Sequence, residues 1–303
     1  MHFSLELPTP RVDRPGEFVT AEAIAEVTRA ARRAGFAAVN VTDHPAPDTK
    51  WLDHGGHHAL DPFVALAFAA AADPDISLHT NIYVAAYRNP FLGAHSVHSL
   101  DVLSGGRLIL GVAAGYLKPE YAALGVDFAR RGALLDEALE VLDAVGTGQD
   151  VSWQSDQAMA RGVRLRPVPA SGGRPPVWVG GNSRAAMRRA ARYEGWAPFH
   201  TGGYSRATRT ATLETVEDLG TGIQEVRTLA AEAGRTGSFD VCWSEALLSD
   251  PDVAVDERSA RVAALAAAGV TWTTVSLRAD DRAGLLEAIA SFGADTIAPQ
   301  ASA

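Results

Sequence analysis

The chain has 303 residues, of which 47% are hydrophobic, so it contains enough apolar material for a large core. Its formal net charge is -9 and its acidic residues are interspersed, which argues against a nucleic-acid or anionic-membrane surface. The single cysteine, Cys242, excludes internal disulfides and cysteine-based metal clusters. Because the N-terminal segment lacks a basic region followed by an apolar run, and no stretch is long enough for a membrane span, we expect a cytoplasmic protein.

Short apolar runs alternate with longer helical patterns along the whole chain, which predicts repeated βα units and a parallel sheet. The predicted strands are residues 2–7, 38–42, 77–84, 108–113, 177–180, 195–198, 239–244 and 271–276. The predicted helices are residues 20–34, 61–72, 93–103, 131–145, 183–193, 213–232, 258–268 and 281–291. This alternation predicts an α/β fold, a (β/α)8 TIM barrel formed by one domain over residues 1–303.

Residues 146–174 do not fit this alternation, because roughly 30 residues are too many for an ordinary connection between a helix and a strand. The segment follows the fourth predicted strand and its helix. We interpret it as an insertion near the barrel mouth.

The sequence PPVWVGGNSRAAMRR, residues 175–189, predicts a strand that turns at a Gly-Gly-Asn-Ser corner into a helix. Glycines let backbone N–H groups approach a ligand closely, and Asn182 or Ser183 can cap the helix, so the corner is suited to holding a phosphate. A simple well-capped turn is the alternative interpretation of the same residues.

In a barrel of this kind the active site lies where the strands end, so residues that follow the predicted strands are candidates. Asp43 and His44 follow the second strand, and the His44 imidazole can exchange a proton near neutral pH. The histidines of the segment WLDHGGHH, residues 51–58, share one glycine-containing loop, whereas a metal site would draw ligands from several strand ends, so we expect no metal.

Motifs for several other enzyme classes are missing. The sequence has no GxSxG elbow, no GxxxxGK[ST] loop and no GxGxxG after its first strand. These absences argue against an α/β-hydrolase, a P-loop enzyme and a Rossmann dehydrogenase.

Four segments, taken in order, resemble the luciferase-like monooxygenase superfamily, most closely its coenzyme F420-dependent (deazaflavin) oxidoreductases. They are VNVTDHP (39–45), ISLHTNIYVAAYRNP (76–90), GRLILGVAAGYLKPEYAALGVDFARRGALLDEALEVL (106–142) and PPVWVGGNSRAAMRRAARYEGWAP (175–198). The last third of the chain matches only in its general pattern. The resemblance implies a TIM barrel that binds F420 or FMN at its mouth.

The resemblance also implies roles for particular residues. It places the cofactor phosphate on the corner of Gly180, Gly181, Asn182 and Ser183. It places a non-proline cis peptide at Asn81–Ile82, beneath the deazaflavin ring, and completes the cofactor site with Asp43, Ala114 and Gly115.

His44 matches the histidine that the family uses as a proton donor, so the resemblance implies that it is catalytic. Two positions differ from the family pattern. Tyr116 replaces a glutamate found in the sugar-phosphate dehydrogenases, which argues against glucose 6-phosphate as substrate, and Glu194 replaces an aspartate, which we interpret as structural.

The sequence therefore predicts an F420-dependent oxidoreductase that transfers a hydride between deazaflavin C5 and a small organic substrate, with His44 handling the proton. An FMN-dependent monooxygenase that uses reduced flavin and oxygen is an alternative, and a non-catalytic flavin-binding barrel is another. By analogy with the family we expect a homodimer.

Overall fold

A computed structural model describes residues 1–200 and 211–301 of the chain. Within these residues, eight parallel strands close into a barrel, because the first strand pairs with both the second and the last. The strands are β1 His2–Glu6, β2 Ala38–Val41, β3 Ser77–Thr80, β4 Leu108–Ala113, β5 Val177–Gly180, β6 Gly195–Ala197, β7 Asp240–Ser244 and β8 Trp272–Val275. The predicted (β/α)8 barrel is confirmed.

A helix connects each strand to the next around the outside of the barrel. The barrel helices are α1 Ala21–Arg33, α2 Pro62–Ala72, α3 Pro90–Ser104, α4 Arg131–Val145, α5 Arg184–Ala190, α6 Val216–Glu232, α7 Val255–Ala268 and α8 Arg282–Phe292. Shorter helical segments are Pro15–Phe18, Thr49–Leu52, Ala85–Tyr87, Lys118–Ala123, Phe128–Arg130, Ala246–Ser249, Gly293–Ile297 and Ala298–Ala301. Over residues 1–200 and 211–301, no helix combines the length and the apolar character that crossing a membrane requires.

Side-chain caps explain where several of these helices begin. Thr20 accepts a hydrogen bond from the Ala23 amide at the start of α1, and Asn89 accepts from the Phe91 amide at the start of α3. Pro90 then occupies the first helical position, where a missing N–H costs nothing, so α3 begins three residues before its predicted start.

The predicted third strand, residues 77–84, is interrupted. β3 ends at Thr80, and a separate short strand, Tyr83–Val84, pairs with β4 through Tyr83 and Val112. The Asn81–Ile82 peptide between them is cis, as the family resemblance implies. The expectation of one continuous strand is therefore wrong at these two residues.

The insertion after α4 contains an antiparallel hairpin, Val151–Gln154 with Met159–Val163. It begins at the end of α4 that lies opposite the barrel mouth and runs back along this helix, where Trp153 and Ser155 donate to Glu137. Its turn reaches the mouth end of α4, since Asp156 pairs with Arg130 at 3.6 Å. Only this turn, rather than the whole insertion, lies near the mouth.

The interior of the barrel is filled by side chains from several strands. One apolar cluster joins Ala38, Ile109, Trp178, Ala197, Cys242 and Trp272. The Cys242 thiol is buried, and burial raises its pKa above the ordinary value. A buried thiol that keeps its proton serves as a packing group in the core rather than as a nucleophile.

Candidate active site

All of the predicted site residues lie at the carboxyl ends of four neighbouring strands. Asp43 and His44 follow β2, Asn81 and Ile82 follow β3, Ala114 and Gly115 follow β4, and Gly180, Gly181, Asn182 and Ser183 form the end of β5 and its turn into α5. Strand ends β2 to β5 adjoin one another in the barrel. The fold therefore brings the predicted residues to one side of the mouth.

Asp43 anchors the short strand that follows the cis peptide. Its carboxylate is buried and accepts hydrogen bonds from the Val84 amide at 3.0 Å and from Arg88 at 2.7 and 3.0 Å. Burial alone would lower the pKa of Arg88, but the hydrogen bonds and charge of Asp43 raise it overall. The Asp43 carboxylate thus fixes the wall of the mouth between β2 and β4.

His44 has a buried carboxylate beside it. Its Nδ1 lies 3.3 Å from Oε2 of Glu120, a fully buried residue in the short helix Lys118–Ala123. The same carboxylate accepts from the Tyr87 hydroxyl at 2.7 Å and from the Ala46 amide at 3.3 Å. Burial and the hydrogen bond to Glu120 raise the pKa of Tyr87, so the phenol stays protonated and donates a hydrogen bond to Glu120.

The histidine-rich loop folds back over His44. The Trp51 ring centroid lies 4.5 Å from that of His44, and the His57 ring meets it edge-on at 4.9 Å. Burial lowers the pKa of His57, and the neighbouring His44 lowers it further, so His57 favours its neutral form. These contacts leave only 11% of the His44 side chain exposed, which shields its ring from bulk water.

Two glycines permit close packing at the mouth. A Cβ on Gly115, whose φ is +69°, would come within 2.7 Å of Val84 Cγ1. A Cβ on Gly180 would come within 2.4 Å of Ile82 Cδ1. The missing side chains therefore let the residues after β3 lie against the ends of β4 and β5.

The glycine corner has an internal hydrogen-bond arrangement of its own. The Asn182 side chain is buried, donates to the Phe199 carbonyl at 2.8 Å and accepts from the Phe199 amide at 3.0 Å. Ser183 caps α5 by accepting from the Ala186 amide, and Gly181 has a φ of +112°. Asn182 thus holds the corner in shape, and the Gly181 amide ties it to β6 by donating to the Ala197 carbonyl at 3.3 Å.

A cavity of about 460 Å³ opens at the mouth, a volume in the range of small-molecule sites. It is lined by Glu6, Asn40, Asn81, Ser244, Glu245, Ala246, Ser249, Asp250, Thr274, Val275, Ser276 and Arg278. Asn40 Oδ1 is buried without a hydrogen-bond partner among the described residues, while its amide donates to Ser4. The cavity therefore lies over a buried polar residue of β2 and beside the predicted cofactor residue Asn81.

Sequence reasoning missed several residues of this site. Glu120 lies within a segment that resembles the family, but no periodicity or spacing in the sequence marks it as a site residue. The same is true of Arg88 and Asn40. Glu120 could have been suspected only because a glutamate in an otherwise apolar, buried neighbourhood needs partners.

An eight-stranded parallel barrel with polar residues gathered at its carboxyl mouth belongs to the (β/α)8 class, in which ligands bind at that face. Residues 1–296 match the luciferase-like monooxygenase family, so the chain belongs to this family. Its homologues include oxidoreductases and monooxygenases, which supports an oxidoreductase.

Among the relatives is the uncharacterized protein Rv0940c of Mycobacterium tuberculosis, 29% identical over 243 residues that span 74% of this chain and 79% of the relative. The F420-dependent hydroxymycolic acid dehydrogenase of the same organism is 29% identical over 55% of this chain and 46% of its own. The FMNH2-dependent dimethylsulfone monooxygenase of Pseudomonas putida is 28% identical over 50% of this chain and 40% of its own.

Solved structures show the same fold. The monooxygenase RslO1 from Streptomyces bottropensis superposes with a TM-score of 0.77 at 21% identity, covering 99% of this chain and all 100% of the other. An F420-dependent secondary alcohol dehydrogenase, solved with an F420-acetone adduct, gives a TM-score of 0.77 at 16% identity over 98% of both chains. The relatives thus include one named for F420 and one named for FMNH2.

Proposed function

We propose that the protein is an F420-dependent oxidoreductase that transfers a hydride between deazaflavin C5 and a small organic substrate. The observation that carries this proposal is the placement of His44. Its ring is shielded by Trp51 and His57, backed by the Glu120 carboxylate, and set at the end of β2 where a barrel enzyme performs its chemistry. Such a histidine can give or take the proton that accompanies a hydride.

The residues present fit a cofactor at this mouth. Asn81 and Ile82 would support the ring, with Asp43, Ala114 and Gly115 forming the wall beside it, and Gly180, Gly181, Asn182 and Ser183 would hold the phosphate. When bound, the deazaflavin would supply two-electron hydride chemistry. Because α5 has only seven residues, we assign the phosphate contacts to the amides of Asn182 and Ser183 and to the Ser183 hydroxyl rather than to the helix dipole.

The second candidate is an FMN-dependent monooxygenase that uses reduced flavin and oxygen. The relative named as an FMNH2-dependent dimethylsulfone monooxygenase favours it. A non-catalytic flavin-binding barrel would retain the cofactor residues but would have no use for a shielded histidine beside a carboxylate.

Titration of the purified protein with F420 and, separately, with FMN tests the proposal through fluorescence quenching. We expect F420 to bind more tightly than FMN. Tighter binding of FMN would instead favour the FMN-dependent monooxygenase. Binding of neither cofactor would overturn both enzyme proposals.

His44→Ala separates catalysis from binding. We expect F420 affinity to change little and turnover with an identified substrate to fall by about 100-fold, the ordinary contribution of general acid-base catalysis. His54→Ala is the matched control, since His54 belongs to the same loop and is exposed. Full turnover by His44→Ala would remove His44 from the proton-transfer role.

We also propose a homodimer. Large apolar side chains are exposed on the adjacent helices α2 and α3, at Val64, Phe68, Leu92 and Leu103. Light scattering after size exclusion should give twice the chain mass, and Leu92→Glu should give a monomer. Met159→Glu, at an exposed apolar residue of the hairpin, should leave the dimer intact. A wild-type monomer would overturn this assignment.

A further inference from the structure

The contacts around Glu120 extend the proposed function. This carboxylate is fully buried and contacts three groups: the Tyr87 hydroxyl, which donates at 2.7 Å, the Ala46 amide, which donates at 3.3 Å, and Nδ1 of His44 at 3.3 Å. An ionised carboxylate only accepts hydrogen bonds, so it can satisfy all three at once. Removal of its partners would leave a buried charge uncompensated, which makes this arrangement costly to rearrange.

The geometry has a consequence for the His44 ring. A neutral imidazole carries one N–H, and the nitrogen that faces a carboxylate must be the one that bears it, because two acceptors side by side repel. Nδ1 is then the donor to Glu120. The other nitrogen, Nε2, remains as the atom that can gain or lose a proton.

We propose that Glu120 is a positioning residue that holds His44 in its Nδ1–H tautomer and thereby assigns proton exchange to Nε2. This inference rests on the proposed role of His44 in proton transfer, but its structural part holds with or without a cofactor. The Tyr87 hydroxyl and the Ala46 amide also donate hydrogen bonds to this carboxylate and fix its position. A fixed carboxylate limits rotation of the His44 ring.

The 15N chemical shifts of the His44 ring in the whole labelled protein test the proposal, because they distinguish the two tautomers at a pH where the ring is neutral. We expect the wild type to be mainly the Nδ1–H form. In Glu120→Gln, the side-chain amide can donate to Nδ1, so we expect the Nδ1–H preference to be lost. Tyr87→Phe, which keeps the carboxylate, should retain it.

Several outcomes would overturn the proposal. An Nε2–H tautomer in the wild type would do so without any variant, even if Glu120→Gln failed to fold. Unchanged tautomer populations in a folded Glu120→Gln protein would do the same. If F420 turnover is established, we expect Glu120→Gln to lower kcat by about 100-fold with unchanged F420 affinity. Failure to bind F420 would count against the proposed function and leave the tautomer result standing.

Discussion

The side chain of Ile82 occupies the space that a Cβ on Gly180 would need, since such an atom would lie 2.4 Å from Ile82 Cδ1. One residue belongs to the segment after β3 and the other to the end of β5. The missing side chain of Gly180 therefore lets Ile82, in the predicted ring support, pack directly against the predicted phosphate corner.

Gly180→Ala should disturb this contact. Because the contacting atom is the end of a flexible side chain, we expect a loss of about 1 kcal/mol in the free energy of unfolding, the low end of overpacking costs, together with weaker F420 binding. Urea denaturation and fluorescence titration measure the two effects. Gly16→Ala is the control, because nothing lies within 4 Å of a Cβ at that position, and it should match the wild type. Unchanged stability and affinity in Gly180→Ala would contradict the packing argument.

Asp43→Ala should destabilise the protein strongly. The change removes the buried carboxylate that binds Arg88 at 2.7 Å and leaves Arg88 its longer contact with the exposed Asp61 at 3.3 Å; breaking a buried pair of this kind costs about 3 kcal/mol. Urea denaturation measures the loss. Asp13→Ala removes the partner of Arg11 in an exposed pair and should change stability little. A similar effect of the two substitutions would mean that Asp43 is not an anchor.

His79 should make the protein sensitive to acid. Its ring is fully buried against Trp178, and burial lowers its pKa to about 3 from an ordinary value of 6.5. Between these two values the unfolded chain binds a proton that the folded protein does not, so stability falls as the pH falls.

His79→Phe keeps a ring of similar size and removes this titration. Between about pH 7.5 and pH 5, the wild type should lose about 2 kcal/mol more of its unfolding free energy than the variant. Denaturation at several pH values gives the two slopes, and His54→Ala serves as the exposed-histidine control. Parallel slopes for wild type and His79→Phe would show that His79 is not the titrating group.

Glu194 links the first residues of β5 and β6, at the end of the barrel opposite the mouth. It accepts from Arg174 at 2.6 Å, from Arg235 at 3.2 Å and from the Val177 amide at 3.0 Å. Burial alone would raise the pKa of Glu194, but these donors lower it overall, so its stabilisation is present above the ordinary value of 4.5 and is lost as the pH falls.

Glu194→Gln should therefore cost about 1–2 kcal/mol at neutral pH and progressively less in acid. Denaturation at pH 7 and near pH 4 measures this difference. F420 affinity should not change, since the residue lies far from the mouth. A deficit that is constant with pH would show that shape rather than charge matters at this position.

The sequence pattern predicts strands at 108–113 and 177–180 and a helix at 131–145, and the structure has them at these residues. These elements have clear apolar runs or helical periodicity, bounded by glycine, proline or charged residues. The break at Asn81–Ile82 has no such local signal, and only the family resemblance places the cis peptide there.

The candidate site divides in the same way. Asp43 and His44 are predictable because they follow a strand that must end at the mouth. Glu120 is not, because its contact with His44 joins residues 76 positions apart through a short helix that packs on the mouth. The roles of Asp43 and Asn182 are also hidden in the sequence, since their partners Arg88 and Phe199 are set by tertiary structure.

Glu194 accepts a hydrogen bond from the first residue of β5, and the glycine corner lies at the other end of this strand. Under the proposed function, libraries that vary Ser183 can sample other phosphate-bearing ligands, because the Glu194 contacts that hold the strand lie at its opposite end.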